Sequence, residues 1–71
     1  MAETKREAFR RLASRRTETV VERIRILANC ANTQLYEYSE EDVKKIFRAV
    51  DRELRAARTK FANSQRSNFS L

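Results

Sequence analysis

The sequence contains no glycine, proline, histidine or tryptophan, and it has a single cysteine, Cys30, among 71 residues. Glycine and proline form many of the turns that sheets and tight loops need, so their absence favours helices joined by few connections. A lone cysteine cannot form an internal disulfide, and without histidine the usual zinc-ligand sets cannot be assembled. We therefore expect no cofactor and no metal, and we expect Cys30 to be a small buried apolar residue.

Long apolar runs are also missing from the sequence. No stretch approaches the roughly 20 apolar residues of a membrane-spanning helix, and the N-terminus lacks the apolar segment of a secretion signal. The expectation is a cytoplasmic protein that does not bind membranes. Positive charge, in contrast, is in excess: 16 lysines and arginines stand against 10 acidic residues, for a formal net charge of +6. This balance favours nucleic acid or an acidic protein surface as the partner.

The best-defined pattern lies between residues 38 and 61. Ser39 and Asp42 have the spacing of a capping box, in which each side chain accepts a hydrogen bond from the backbone N–H of the other residue. Apolar residues then recur at steps of three and four along one stripe, which predicts a helix over about 40–62. That stripe consists of Val43, Ile46, Phe47, Val50, Leu54, Ala57 and Phe61.

A second apolar stripe lies nearer the N-terminus. Thr4 and Glu7 repeat the capping-box spacing and predict a first helix over about 5–31. Asn29 and Asn32 suit the end of this helix, because asparagine tolerates the left-handed conformation that commonly closes one. The stripe of this helix consists of Phe9, Leu12, Ala13, Val20, Ile24, Leu27 and Ala31.

The face opposite this first stripe combines both signs of charge. Glu7 and Arg11 have the favourable i,i+4 order of an ion pair, so we interpret the face as a solvated ion-pair ladder. Arg6, Arg10 and Arg16 lie nearer the stripe, where they could reach a partner from its edges. The other pairs predicted for the ladder are Arg15–Glu18 and Glu22–Arg25.

The helix predicted over 40–62 carries a basic arc on the side opposite its stripe. At about 100° per residue, five basic residues fall within about a quarter-turn, and beyond the first turn no acidic residue joins them. Asp51 could pair with Arg55 at i,i+4, whereas Arg48 and Arg52 have no acidic residue four positions earlier. The basic arc consists of Lys44, Lys45, Arg48, Arg52 and Arg55.

Two amphipathic helices with a short connector predict an all-α antiparallel hairpin within residues 1–62. Residues 63–71 have no periodicity, so we expect them to form a disordered polar tail. A lone hairpin leaves part of each stripe in water, and small chains without disulfides or metals usually oligomerise. We expect a homodimer in the form of a four-helix bundle, or else a place in a larger complex. The expected interface residues are Phe9, Leu12, Val20, Ile24, Leu27, Val43, Phe47, Val50, Leu54 and Phe61.

Catalysis is not expected, because the usual nucleophile–base pairs and glycine-rich phosphate loops are missing. The leading hypothesis is binding of the RNA or DNA backbone through the basic arc, with little sequence discrimination. The alternative is a protein–protein adaptor, or a small accessory subunit of a larger enzyme or ribonucleoprotein complex. In a third interpretation, the basic residues only keep the outer face of the helix soluble.

Overall fold

The computed structural model describes residues 2–67, with side chains described for 2–65. Within that part of the chain there are two α-helices, α1 over Lys5–Ala28 and α2 over Glu40–Ser67, and there is no strand. A 3₁₀ turn, Asn29–Ala31, follows α1 directly. The all-α class predicted from the sequence is confirmed.

The first turn of α1 is closed by the predicted capping box. The Thr4 hydroxyl accepts from the Glu7 backbone N–H at 3.1 Å, and Glu7 Oε1 accepts from the Thr4 N–H at 3.2 Å. These bonds satisfy backbone donors that a helix start would otherwise leave unpaired. The hydrogen bond from the Thr4 side chain, followed by the one from its backbone, lowers the pKa of the Glu7 carboxyl below its ordinary value of 4.5. The start of α1 is therefore linked to the ionisation of Glu7.

Acidification should fray the first turn of α1. A carboxyl whose pKa is lowered by folding stabilises the helix above its unfolded pKa, and this contribution is lost as the pH falls through the lowered value. We therefore expect amide hydrogen exchange at Thr4 and Glu7 to accelerate, relative to the middle of α1, as the pH falls below about 4.5. NMR exchange measurements across that range would test this. In Glu7→Gln, whose amide oxygen can replace the carboxylate in the capping box, the acceleration should be much smaller. Equal fraying in both proteins would contradict the assignment.

The end of α1 differs from the prediction. Asn29 has right-handed helical angles, φ −64° and ψ −21°, and Asn32 is extended at φ −66° and ψ 103°. The left-handed closure expected at these asparagines is therefore wrong. The helix instead tightens into a 3₁₀ turn, and Asn32 Oδ1 accepts from the Gln34 N–H at 3.0 Å. Because this Asx turn and the 3₁₀ turn pair backbone groups at the helix end, no positive φ is needed there.

α2 begins where the sequence predicts and ends later. Ser39 Oγ accepts from the Asp42 N–H at 3.1 Å, and Asp42 Oδ2 accepts from the Ser39 N–H at 2.9 Å. The helix then continues to Ser67, so the end expected near residue 62 is wrong, and residues 63–67 are helical rather than part of a polar tail. The sequence has no glycine or proline to stop the helix, and extending an existing helix by one turn costs little free energy. The rest of the expected tail, 68–71, lies outside the described residues.

The chain divides into two units, Met1–Glu37 and Tyr38–Leu71, each built on one helix. No residue within 2–65 is buried, including the members of both apolar stripes. Val20 and Phe61 are each more than half exposed, at 54% and 58%. The stripes are therefore open to further packing. Their half-buried members are Leu12, Ala13, Leu27, Val43 and Val50.

Candidate nucleic-acid interface

The predicted basic arc lies entirely within α2, downstream of the capping box formed by Ser39 and Asp42. Because the helix is unbroken through the arc, its members keep the positions that about 100° per residue gives them. They cover about a quarter-turn of the surface, and the middle of the arc lies about 160° from the middle of the apolar stripe. Every side chain of the arc is exposed: Lys44, Lys45, Arg48, Arg52 and Arg55.

Ion pairing leaves most of the charge of the arc available. Lys44 Nζ lies 3.9 Å from Glu41 Oε1, and the two side chains are 59% and 68% exposed. A pair this long and this exposed contributes little to stability. Among the residues that the structure describes, the other four basic residues of the arc have no carboxylate within 4.0 Å. The pairing considered between Asp51 and Arg55 is therefore not formed, and the positive charge of these four residues is not neutralised by a neighbouring carboxylate.

The ion pair on the outer face of α1 differs from the predicted one. Arg11 donates from Nε and Nη2 to the two carboxylate oxygens of Glu3, at 2.9 and 2.8 Å. The predicted pair of Glu7 with Arg11 is wrong, because the Glu7 carboxylate is held at the Thr4 N–H. The bidentate contact lowers the pKa of Glu3 and raises that of Arg11. Arg11 is therefore already paired and is a weaker candidate for binding a ligand anion.

The other two ion pairs predicted for the outer face of α1 are also not formed. Within the described part of the chain, neither Arg15 with Glu18 nor Glu22 with Arg25 approaches within 4.0 Å. The Thr19 hydroxyl donates to the Arg15 carbonyl oxygen at 3.2 Å, as a threonine inside a helix often does. This face still has both signs of charge interspersed, so its electrostatic potential is weaker than that of the arc.

The borders of the two apolar stripes carry charges that the sequence analysis only partly recognised. On α1 the bordering charges are all basic, since the acidic residues of the helix lie on the opposite face. On α2 the border is acidic until the last third of the helix, where Arg58 and Lys60 follow. A helical projection of the sequence could have revealed both borders. The basic border of α1 consists of Lys5, Arg6, Arg10, Arg16 and Arg23, and the acidic border of α2 consists of Glu40, Asp42, Asp51 and Glu53.

Other kinds of site find little support in the described residues. Cys30 is exposed, so the buried position expected for it is wrong. It lies in the 3₁₀ turn after α1, where no neighbouring element covers it within its unit. Within residues 2–65, no group of three or more acidic or cysteine side chains is arranged to hold a metal ion. Neither described helix combines the length and apolar character needed to cross a bilayer.

Comparison with protein-family models, with curated proteins and with solved structures finds no match to this chain. Its function must therefore be argued from its own residues. Among the sites described, the basic arc of α2 has the most concentrated charge and the clearest separation from the apolar surface.

Proposed function

We propose that this protein is a small non-catalytic nucleic-acid-binding protein that contacts the phosphate backbone of RNA or DNA through the basic arc of α2. The observation that carries the proposal is that Arg48, Arg52 and Arg55 are exposed and unpaired among the described residues, on the side of the helix opposite the apolar stripe. Arginine suits this role because its planar guanidinium donates two parallel hydrogen bonds to a phosphate.

The mechanism of binding is electrostatic. The arc extends about 15 Å along the helix axis from Lys45 to Arg55, long enough to reach several phosphates. Each phosphate contact releases condensed counterions, so the affinity is high at low salt and falls steeply as salt is added. Phosphates carry no base identity, so little sequence discrimination follows. A cytoplasmic location suits this activity and keeps a thiol such as Cys30 reduced.

In this proposal α1 and α2 pack against each other as an antiparallel hairpin, and two hairpins associate into a four-helix bundle. Its support is the exposure of the apolar stripes within each unit, since helices with such stripes are stable when a neighbour covers them. In a two-fold dimer the same surface of each chain contacts its copy, so a single type of interface buries both stripes. It also presents the basic arc twice, so one nucleic-acid molecule can be held at two places with a gain in affinity.

The charges at the stripe borders support the same packing. In a hairpin, residues equally distant from the connector lie side by side. Arg16 on α1 then falls level with Asp51 and Glu53 on α2, so a basic border meets an acidic one there, whereas Arg23 falls level with Lys45. Such flanking pairs select partner and orientation in helical bundles.

A second candidate function is a protein adaptor. It is favoured by the exposed stripe of α1 with its basic border, which would suit an amphipathic helix that has acidic flanks. In that case the protein would be an accessory subunit of a larger enzyme or ribonucleoprotein complex. A stable protein partner that remains bound after nuclease treatment would favour this function over the first.

The proposed function is tested by titrating the purified protein against labelled RNA and DNA at several salt concentrations. If a dimer contacts about six phosphates, the logarithm of the association constant should fall with the logarithm of salt with a slope of about −5. Fluorescence anisotropy measures both the affinity and the slope. Failure to bind any RNA or DNA at low ionic strength would overturn the proposal.

A further inference from the structure

The arrangement of charges within the basic arc indicates which class of nucleic acid it can bind. With Lys44 at 0°, Arg55 and Arg48 lie at about 20° and 40°, while Arg52 and Lys45 lie at about 80° and 100°. The arc is therefore two rows rather than one. We define row one as Lys44, Arg48 and Arg55, and row two as Lys45 and Arg52.

The distance between the rows suits two phosphate strands. The middle of row one and the middle of row two differ by about 70°, and a helix with its side chains has a radius of about 5–6 Å. The two rows are then separated by roughly 6 Å at the helix surface, and extended arginine side chains can widen that distance. The minor groove of B-form DNA is about 6 Å wide and its major groove about 12 Å. Two rows on one rigid helix can thus contact the phosphates on both sides of a groove.

The positions of the aromatic residues within α2 argue against a single strand on the basic arc. Proteins that hold single strands combine a basic groove with aromatic side chains on which the bases stack. The aromatic residues of α2 are Phe47 and Phe61, and both belong to the apolar stripe rather than to the arc. The arc therefore offers charge without a stacking platform, which fits a ligand whose bases are already paired.

We infer that the ligand is a double-stranded nucleic acid and that the two basic rows of α2 straddle one of its grooves. The inference rests on the proposed function and names its substrate class. The shared chemistry is a pair of phosphodiester strands held at a fixed separation, as in duplex DNA and duplex RNA. A single strand has no second row of phosphates at a fixed distance, so it can engage one row at a time.

The test compares binding of the full chain to a labelled 20-base-pair DNA duplex, an RNA duplex of the same sequence and their separate strands, at matched phosphate concentration and low salt. At least one duplex should bind at least tenfold more tightly than its strands. A DNA-only or RNA-only preference identifies which groove shape is used, and both support the inference. If a single strand binds as tightly as both duplexes, the inference is overturned while the proposed function stands. If nothing binds, both are overturned.

Variants that remove two charges from one row at a time test the straddling geometry. Arg48→Gln/Arg55→Gln removes two charges from row one, and Lys45→Gln/Arg52→Gln removes two charges from row two. Each variant should reduce the preference for the duplex to less than about threefold, because either remaining row can hold only one strand. The control Arg15→Gln/Arg25→Gln removes the same charge from α1 and should keep the preference. A tenfold preference for the duplex that survives in either variant would contradict the inference.

Discussion

Replacing Arg48 and Arg52 by glutamate should lower the affinity for nucleic acid at least about 100-fold. Each charge-assisted hydrogen bond is worth about 1.5 kcal/mol or more, so losing two removes about 3 kcal/mol, and every 1.4 kcal/mol is a factor of ten. The glutamates also repel the phosphates, which increases the loss. Arginine and glutamate have similar helix propensities, so helicity should be unchanged. Anisotropy titration at low salt measures the affinity, and circular dichroism checks the helix.

The matched control for this variant is Arg15→Glu/Arg25→Glu, which makes the same change in net charge on the outer face of α1. Both arginines are exposed, as are those of the arc. If binding depends on the arc, the control should lose less than about fivefold, the share that a change of overall charge can cause through long-range attraction. Equal losses in the two variants would show that only the net charge matters, and the assignment of the site to α2 would then be wrong.

Helix starts could be predicted from the sequence because they depend on a few neighbouring residues. A capping box needs only a hydroxyl residue and an acid three positions later, and Thr4–Glu7 and Ser39–Asp42 both form as expected. Helix ends depend on weaker signals. Nothing between Phe61 and Ser67 actively stops α2, and composition alone does not distinguish a fraying polar helix from a coil.

The basic arc could also be predicted, since it follows from helix periodicity alone. The ion pairs at the surface could not be predicted, because each charged side chain can choose between several partners of similar energy. Glu7 has one carboxylate, and it bonds to the Thr4 N–H, which leaves Arg11 to reach back to Glu3. Periodicity assigns each residue to a face of its own helix. It contains no information on which second surface covers that face, and so the hairpin and the dimer are proposals.

Leu54 and Arg55 allow assembly and binding to be separated with two adjacent substitutions. Leu54 belongs to the apolar stripe of α2 and Arg55 to its basic arc, about 100° away around the helix. In a four-helix bundle, Leu54→Asp would place a carboxylate in the packed interior. Loss of a buried leucine costs about 3 kcal/mol per chain, and burying an unpaired charge adds to that cost. Since a dimer contains the change twice, its dissociation constant should rise by at least about four powers of ten.

Arg55→Asp also introduces an aspartate, but at a position that faces solvent in the bundle. This variant should remain a dimer of unchanged helicity while its affinity for nucleic acid falls at least tenfold, because a phosphate contact in each arc is lost. Leu54→Asp should instead become monomeric, lose much of its helicity and bind weakly, since the two arcs are no longer joined. Light scattering and circular dichroism measure assembly and helicity, and anisotropy measures binding. If Leu54→Asp is as dimeric and helical as Arg55→Asp, the apolar stripe does not form the interface. If the unaltered protein is a stable helical monomer, the bundle itself is excluded.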